Sequence, residues 1–349
     1  MRPNRKTKMF DPSIICSENG SLILEDPVLS QTHRARYMGV FFLSLGFIFI
    51  PICSFVLSVF CRPSLIVNSC YKLLVITTFL DITNLVSAAF VCGFLALTNR
   101  TPCHGEVWIL YYSCLSVALW LTYCSASEVL ALNRLLVFVH PNLASILFDG
   151  NRCWLWIFFI IGYPVVTTLT NLDKTYVFVP SAGVVYDVEY NPMHVISNFV
   201  KMGFITISYL IVFYKIKKLK ARAGPNNNEA GSSQVKISIQ TLFIAALADI
   251  CAFAYTFTSY IPESVGLSQY SGLIGQLAWI LLHGRNTFLV VGQAWFSLGG
   301  TGIIYLCLNT SVREALRELT RKWLTRDIYK EDLTNIHMTN ASSNLATHG

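Results

Sequence analysis

The stretch VLALNRLLVFVHP, Val129 to Pro141, decides how the chain is read. It continues an apolar run from Val107, and Asn133 and Arg134 stand side by side within it before more apolar residues and a His-Pro. An arginine closing so apolar a segment is an anchor, a pore residue or a switch. Which one depends on the class of the whole chain.

Composition sets that class. The 349 residues are 54% hydrophobic and 13% charged, with a mean hydropathy of +0.52. Soluble domains carry roughly 25% charged residues. A large soluble protein with buried helices is set aside, because several runs exceed the ~20 apolar residues that cross a bilayer. Most of the eleven cysteines lie in apolar runs (Cys53, Cys92, Cys114, Cys124, Cys251), where they read as small buried hydrophobes. No CxxC or Cys/His metal spacing occurs. The chain does not open with a basic-then-apolar segment, so the first span is expected to act as its own insertion signal.

Seven apolar segments are expected as spans, at 37–61, 71–97, 107–132, 154–170, 194–214, 237–261 and 272–308. Unsatisfied backbone is too costly in lipid, so each should be an α-helix. The breaks CRPS, NRTPCHG, HPNL, GPNNNEAGSS and IPES have turn chemistry. Positive charge gathers in alternate breaks. Lys215, Lys217, Lys218, Lys220, Arg222 and Lys236 follow span 5, Arg62 and Lys72 follow span 1, and Arg134 and Arg152 follow span 3. The opposite loops are poor in it, which predicts that the odd-to-even loops are cytoplasmic and the N-terminus outside. Basic residues in the tail from Arg2 to Arg36 pull the other way, and the short loops outvote them. The sequons at Asn19 and Asn99 fall on the expected outer side, while those at Asn309 and Asn340 fall inside.

Ionisable residues inside spans are expected to face the interior and find partners. Asp81 lies in TTFLDITNL of span 2, Asp249 in AALADICAF of span 6, and Glu128 six residues before Arg134. Tyr305 is a further intramembrane polar group, in span 7. Asp81 reads either as an ion site or switch, or as a hydrogen-bonded carboxyl tying spans 2, 3 and 7. Three acids on three helices, with no histidine among them, do not make the relay a transporter needs. Lys201 is expected to snorkel toward the outer surface; the competing reading is a pocket cation for an acidic ligand. Arg134 reads either as a lipid-phosphate anchor or as the switch arginine of a seven-helix receptor, which Glu128 pairs with in one state. In NTSVREALRELTRKWLTRD, Val312, Ala315, Leu316, Leu319 and Trp323 share one face and Arg313, Arg317 and Arg321 another. That predicts an amphipathic helix on an anionic membrane surface, followed by a polar disordered tail.

These residues resemble the nematode serpentine chemoreceptors, class T above all. The resemblance rests on LALNR (Leu130–Arg134), LFDGNRCWLW (Leu147–Trp156), IGQLAWILLHG (Ile274–Gly284) and IIYLCLNTSVRE (Ile303–Glu314). It implies a receptor on sensory-neuron membranes, often ciliary, that detects an environmental small molecule and signals through a heterotrimeric G protein. Two departures stand out. His283-Gly284 is separated from Ile303 by an extra segment, 285–301, with a second GQAW and no proline. It is a duplicated half-helix, a kinked or re-entrant insert, or a retained intron. The usual bridge from the top of span 3 to the second outer loop also lacks its cysteine within 171–193. Cys103 and Cys16 then either pair with each other or stay free thiols.

The expected fold is an all-α membrane protein, a seven-transmembrane helix bundle with an amphipathic eighth helix. An outer tail (1–36), the bundle (37–308), the eighth helix (309–326) and a cytoplasmic tail (327–349) would divide the chain. The expected partners are a small-molecule ligand, a heterotrimeric G protein and the lipid bilayer, with no nucleic acid. No cofactor or catalysis is expected, since the chain has no nucleotide loop, nucleophile elbow or metal constellation. A seven-span channel or transporter, or a degraded non-signalling receptor, are the alternatives.

Overall fold

A computed structural model of the chain describes residues 15–17, 22, 32–171, 174–188, 191–223 and 271–284. Span 6, the insert 285–301, the remainder of span 7, the helix expected at 309–326, and with them Asn19, Asp249 and Tyr305, lie outside the described residues.

Span 1 is the helix Thr32–Phe60, and span 2 runs from Ser69 to Thr98 with a π-helical turn at Val86–Val91. Span 3 is Trp108–Val139, span 4 Arg152–Thr170, span 5 Pro192–Ala223, and the start of span 7 Ser271–His283. Five of these are long and apolar enough to cross a bilayer. Their outward faces are apolar: on span 4, Leu155 and Phe158 are 61% and 77% exposed, while Cys153, Ile160 and Pro164 are buried. Such a face is stable only against lipid.

Span 1 begins five residues before expectation, at Thr32, and two span ends run further past it. Span 3 does not close near Arg134 but continues to Val139. It stops where it does because His140 precedes a proline, which disfavours the α region, and His140 adopts φ −139°, ψ 75°. Span 5 runs on through KIKKLKARA to Ala223. Lys, Leu, Ala and Arg are strong helix formers, so the helix outlasts its apolar stretch. The expected turns CRPS and HPNL also begin short helices, Pro63–Ile66 and Pro141–Phe148, each with proline at its first position.

Spans 1 and 2 pack backbone to backbone. A Cβ on Gly39 would lie 2.6 Å from the Gly93 carbonyl oxygen, and one on Gly46 3.0 Å from the Ala89 methyl. Small residues let membrane helices approach where no hydrophobic force drives them together.

An element that the sequence reading did not anticipate covers one end of the bundle. β1 (Tyr176–Val179) pairs antiparallel with β2 (Val184–Asp187), Val179 opposite Val184. The turn uses Gly183 at φ +70°, and a side chain there would run into Met38 and Phe42 of span 1. A two-stranded hairpin is marginal alone. Here all four β1 residues are buried, Val177 and Val179 in a cluster with Ile15, Leu22 and Leu110.

Candidate functional site

Span 3 carries the spine of the site. Tyr112, Ser116, Trp120, Tyr123, Ser127, Leu130 and Arg134 recur every three or four residues, and all seven are buried. That spacing places them on one helical face. The face is aromatic and polar, whereas Trp108, Tyr111 and Leu115 beside it are exposed.

The π turn of span 2 shifts carbonyls out of the regular helical ladder, and neighbouring spans supply donors to them. Tyr112 Oη donates to the Ser87 carbonyl at 2.9 Å, and Gln276 Nε2 to the Ala88 carbonyl at 2.9 Å. The Ser87 hydroxyl lies 3.0 Å from both Tyr112 Oη and Ser116 Oγ. Spans 3 and 7 are thereby fastened to the same turn of span 2.

Deeper in the bundle, Asp81 Oδ1 lies 2.9 Å from His283 Nδ1, and both side chains are 0% exposed. The pair ties span 2 to span 7. Tyr123 of span 3 packs edge-on against the imidazole, ring centroids 4.5 Å apart. His283 was missed as an intramembrane ionisable group, because it entered the sequence reading only within a motif. Gln276, Trp279, Ile280 and His283 follow i, i+3, i+4, i+7 spacing and are all buried, which is the signal that would have found it.

Lys201 does not snorkel. It is 0% exposed, and its ammonium sits 4.5 Å from the centroid of the Trp120 ring. The reason is angular: Lys201 lies on the face of span 5 that packs on span 3, with Asn198 and Ser208 buried beside it on the same helix. Trp120 Nε1 donates to Asn198 Oδ1 at 3.0 Å. Trp120 in turn meets Trp279 edge-on at 5.9 Å, and Trp279 lies 6.3 Å from His283. Lys201, Trp120, Trp279, His283 and Asp81 form one continuous line across spans 5, 3, 7 and 2.

At the end away from the hairpin, Arg134 is buried, 2% exposed. Its Nε and Nη2 both donate to Asn133 Oδ1, at 3.2 and 2.6 Å. Asn133 Nδ2 reaches Ser69 Oγ at 3.3 Å, and Cys153 Sγ reaches the Ser69 carbonyl at 3.5 Å. Lys72, counted in the sequence as a loop charge, is buried and donates to the Gly150 carbonyl at 2.6 Å. Half-buried Glu128 forms no ion pair with Arg134; it lies in the electrostatic range of Lys201 instead. Arg134, Asn133, Ser69 and Cys153 therefore join the ends of spans 3, 2 and 4.

Cys16 and Cys103 are joined by a disulfide, Cα atoms 5.6 Å apart. Asn99 caps span 2 in the left-handed region, φ 51°, with the hydroxyl of Thr101 3.0 Å from His104 Nδ1. Among the described residues no cluster of three or more His, Cys, Asp or Glu side chains is placed to hold a metal.

Membrane-length helices stitched together by a buried polar and aromatic face form the architecture of the rhodopsin-like seven-helix receptors. The chain is similar to the crystal structure of squid rhodopsin, with a TM-score of 0.64 at 14% identity, covering 86% of this chain and 91% of that one. No curated protein matches it. A family model for the serpentine type seven-transmembrane G-protein-coupled chemoreceptor Srt matches residues 15–327, and the chain belongs to that family. It is a multi-pass membrane protein and a receptor of the G-protein-coupled type, in agreement with the resemblance carried by LALNR and LFDGNRCWLW.

Proposed function

We propose that the chain is a chemosensory receptor of the plasma membrane of sensory neurons, extending to their cilia, with its N-terminus outside. It binds a small environmental molecule among the spans toward the hairpin end and activates a heterotrimeric G protein at the Arg134 end. The outer tail 1–36, the bundle 37–308, the amphipathic helix 309–326 and the tail 327–349 divide the chain in this reading. Asn19 and Asn99 are its glycosylation sites, and Asp249 and Tyr305 complete the intramembrane polar set with Asp81.

The observation that carries the coupling reading is the burial of Arg134. A guanidinium held by its neighbour's amide, and through it against span 2, is a latched state. Ligand binding shifts the population toward a state in which Asn133, Arg134 and the basic end of span 5 meet the G protein. Glu128 stands on the same helix between this latch and the tryptophan line.

Sided glycosylation tests the orientation. Modification at Asn19 together with none at a sequon engineered into Lys215–Lys236 is the expected result, and the reverse pattern overturns the topology. Arg134→Ala tests the latch. Nucleotide exchange on the G protein is expected to fall about tenfold, the effect of ~1.4 kcal/mol, at unchanged surface expression. Unchanged exchange would remove the switch role.

A further inference from the structure

The ammonium of Lys201 is fully enclosed, and among the described residues it has no hydrogen-bond acceptor. An ammonium carries three donors, and a charge taken out of water into a helix bundle is costly unless it is paired. Two neighbours offset part of that cost. The Trp120 face attracts the cation, and the Glu128 carboxylate acts on it from a distance, without ion-pair contact. Neither accepts a hydrogen bond from it. The site therefore holds directed donors that no described residue satisfies.

A second donor lies beside it. Asn198 precedes Lys201 by three residues, which puts both on one face of span 5. The Asn198 carbonyl oxygen is taken by Trp120 Nε1, so its amide nitrogen is the group left to donate. The wall behind both is the buried Trp120–Trp279 pair. A cation, an amide donor and aromatic walls match an anionic head group on an apolar body.

We propose that Lys201 and Asn198 form the head-group site of a small organic anion, a carboxylate on an aromatic or aliphatic body, with Trp120 as its floor. The assignment rests on the receptor reading above and specifies the chemical class of its ligand. It also gives the ligand a route into the bundle. Neutralising Lys201 changes the charge over Trp120, which touches Trp279, and Trp279 lies beside the His283–Asp81 pair.

The test uses the full chain in lipid nanodiscs. Thermal unfolding is followed with benzoate, phenylacetate, hexanoate and octanoate, with their methyl esters, and with hexanesulfonate. At least one acid is expected to raise the unfolding temperature saturably, while its ester does not. Hexanesulfonate separates a carboxylate-shaped site from a general anion site. Lys201→Met should abolish the shift and Lys201→Arg retain it. Without any acid, Lys201→Met should unfold at a higher temperature than the wild type, because an unsatisfied buried cation has been removed. Lys201→Gln serves the same comparison should the Met variant not fold.

The proposal is overturned if no acid shifts the wild type, if esters act as well as acids, if Lys201→Met keeps the shift, or if that variant is less stable without ligand. Basal nucleotide exchange on the same nanodiscs separates the two readings. Exchange that depends on Arg134 but shows no acid binding removes the anion site alone. Acid binding without any exchange removes the coupling alone.

Discussion

His283 and Asp81 show how one contact organises three helices. Each is fully buried, and their 2.9 Å contact is made where spans 2, 3 and 7 converge on the Tyr123 ring. Truncating one member of a buried hydrogen-bonded pair leaves the other without its partner, at about 1–3 kcal/mol. His283→Ala should therefore lower thermal stability, whereas Asp81→Ala/His283→Ala should cost well under the sum of the single changes. A thermal-unfolding double-mutant cycle in nanodiscs measures this, and strict additivity would show that the contact carries no coupling. Asp81 was legible in the sequence because a carboxylate inside an apolar run cannot be ignored. His283 and Lys201 were harder to place. The partner of a histidine 202 positions away is a tertiary fact, and whether a lysine snorkels depends on the rotation of its helix, which hydropathy does not report. Asn133 and Arg134 could be singled out, but the latch on Ser69 could not.

At the scale of elements, the π turn at Val86–Val91 is where span 2 is held by spans 3 and 7. Tyr112 and Gln276 each supply a donor to a carbonyl there. Removing either leaves a buried acceptor short of a partner, at about 1–3 kcal/mol. Tyr112→Phe and Gln276→Leu should each lower the unfolding temperature without lowering helix content by circular dichroism. Stability equal to wild type in both would mean that the turn is held by span 2 itself. The spans were legible because the bilayer demands long apolar helices, and their described ends fall within a few residues of expectation except where helix formers or a proline outlast the apolar run. The π turn was not. VSAAFV has ordinary helical composition, and the extra residue per turn is favoured only once Tyr112 and Gln276 sit opposite. The hairpin was hidden for a related reason, since its strands are four residues each and are stable only once packed on the bundle and on Ile15 and Leu22.

For the whole molecule, the hairpin end is a cover built from three separate parts of the chain. Cys16 and Leu22 form a β-bridge, the disulfide ties Cys16 to the loop before span 3, and the hairpin packs on spans 1 and 3. The disulfide closes a loop between positions 87 apart, and in the chain-entropy account a loop of that size is worth about 4.6 kcal/mol. Because one bond is at stake, Cys16→Ser, Cys103→Ser and the double variant should lose nearly the same stability. Additive losses would instead mean that each cysteine packs independently. The loss should also be local. Native-state hydrogen exchange is expected to quicken in 176–187, while protection in the middle of span 3 is retained, since Trp120 and Tyr123 meet spans 5 and 7 there. A cover that opens without loosening the bundle would let a small molecule reach Trp120 and Lys201 from the hairpin end. Quickened exchange throughout span 3 would mean that the cover and the bundle unfold as one, and that entry by that route requires the bundle itself to open.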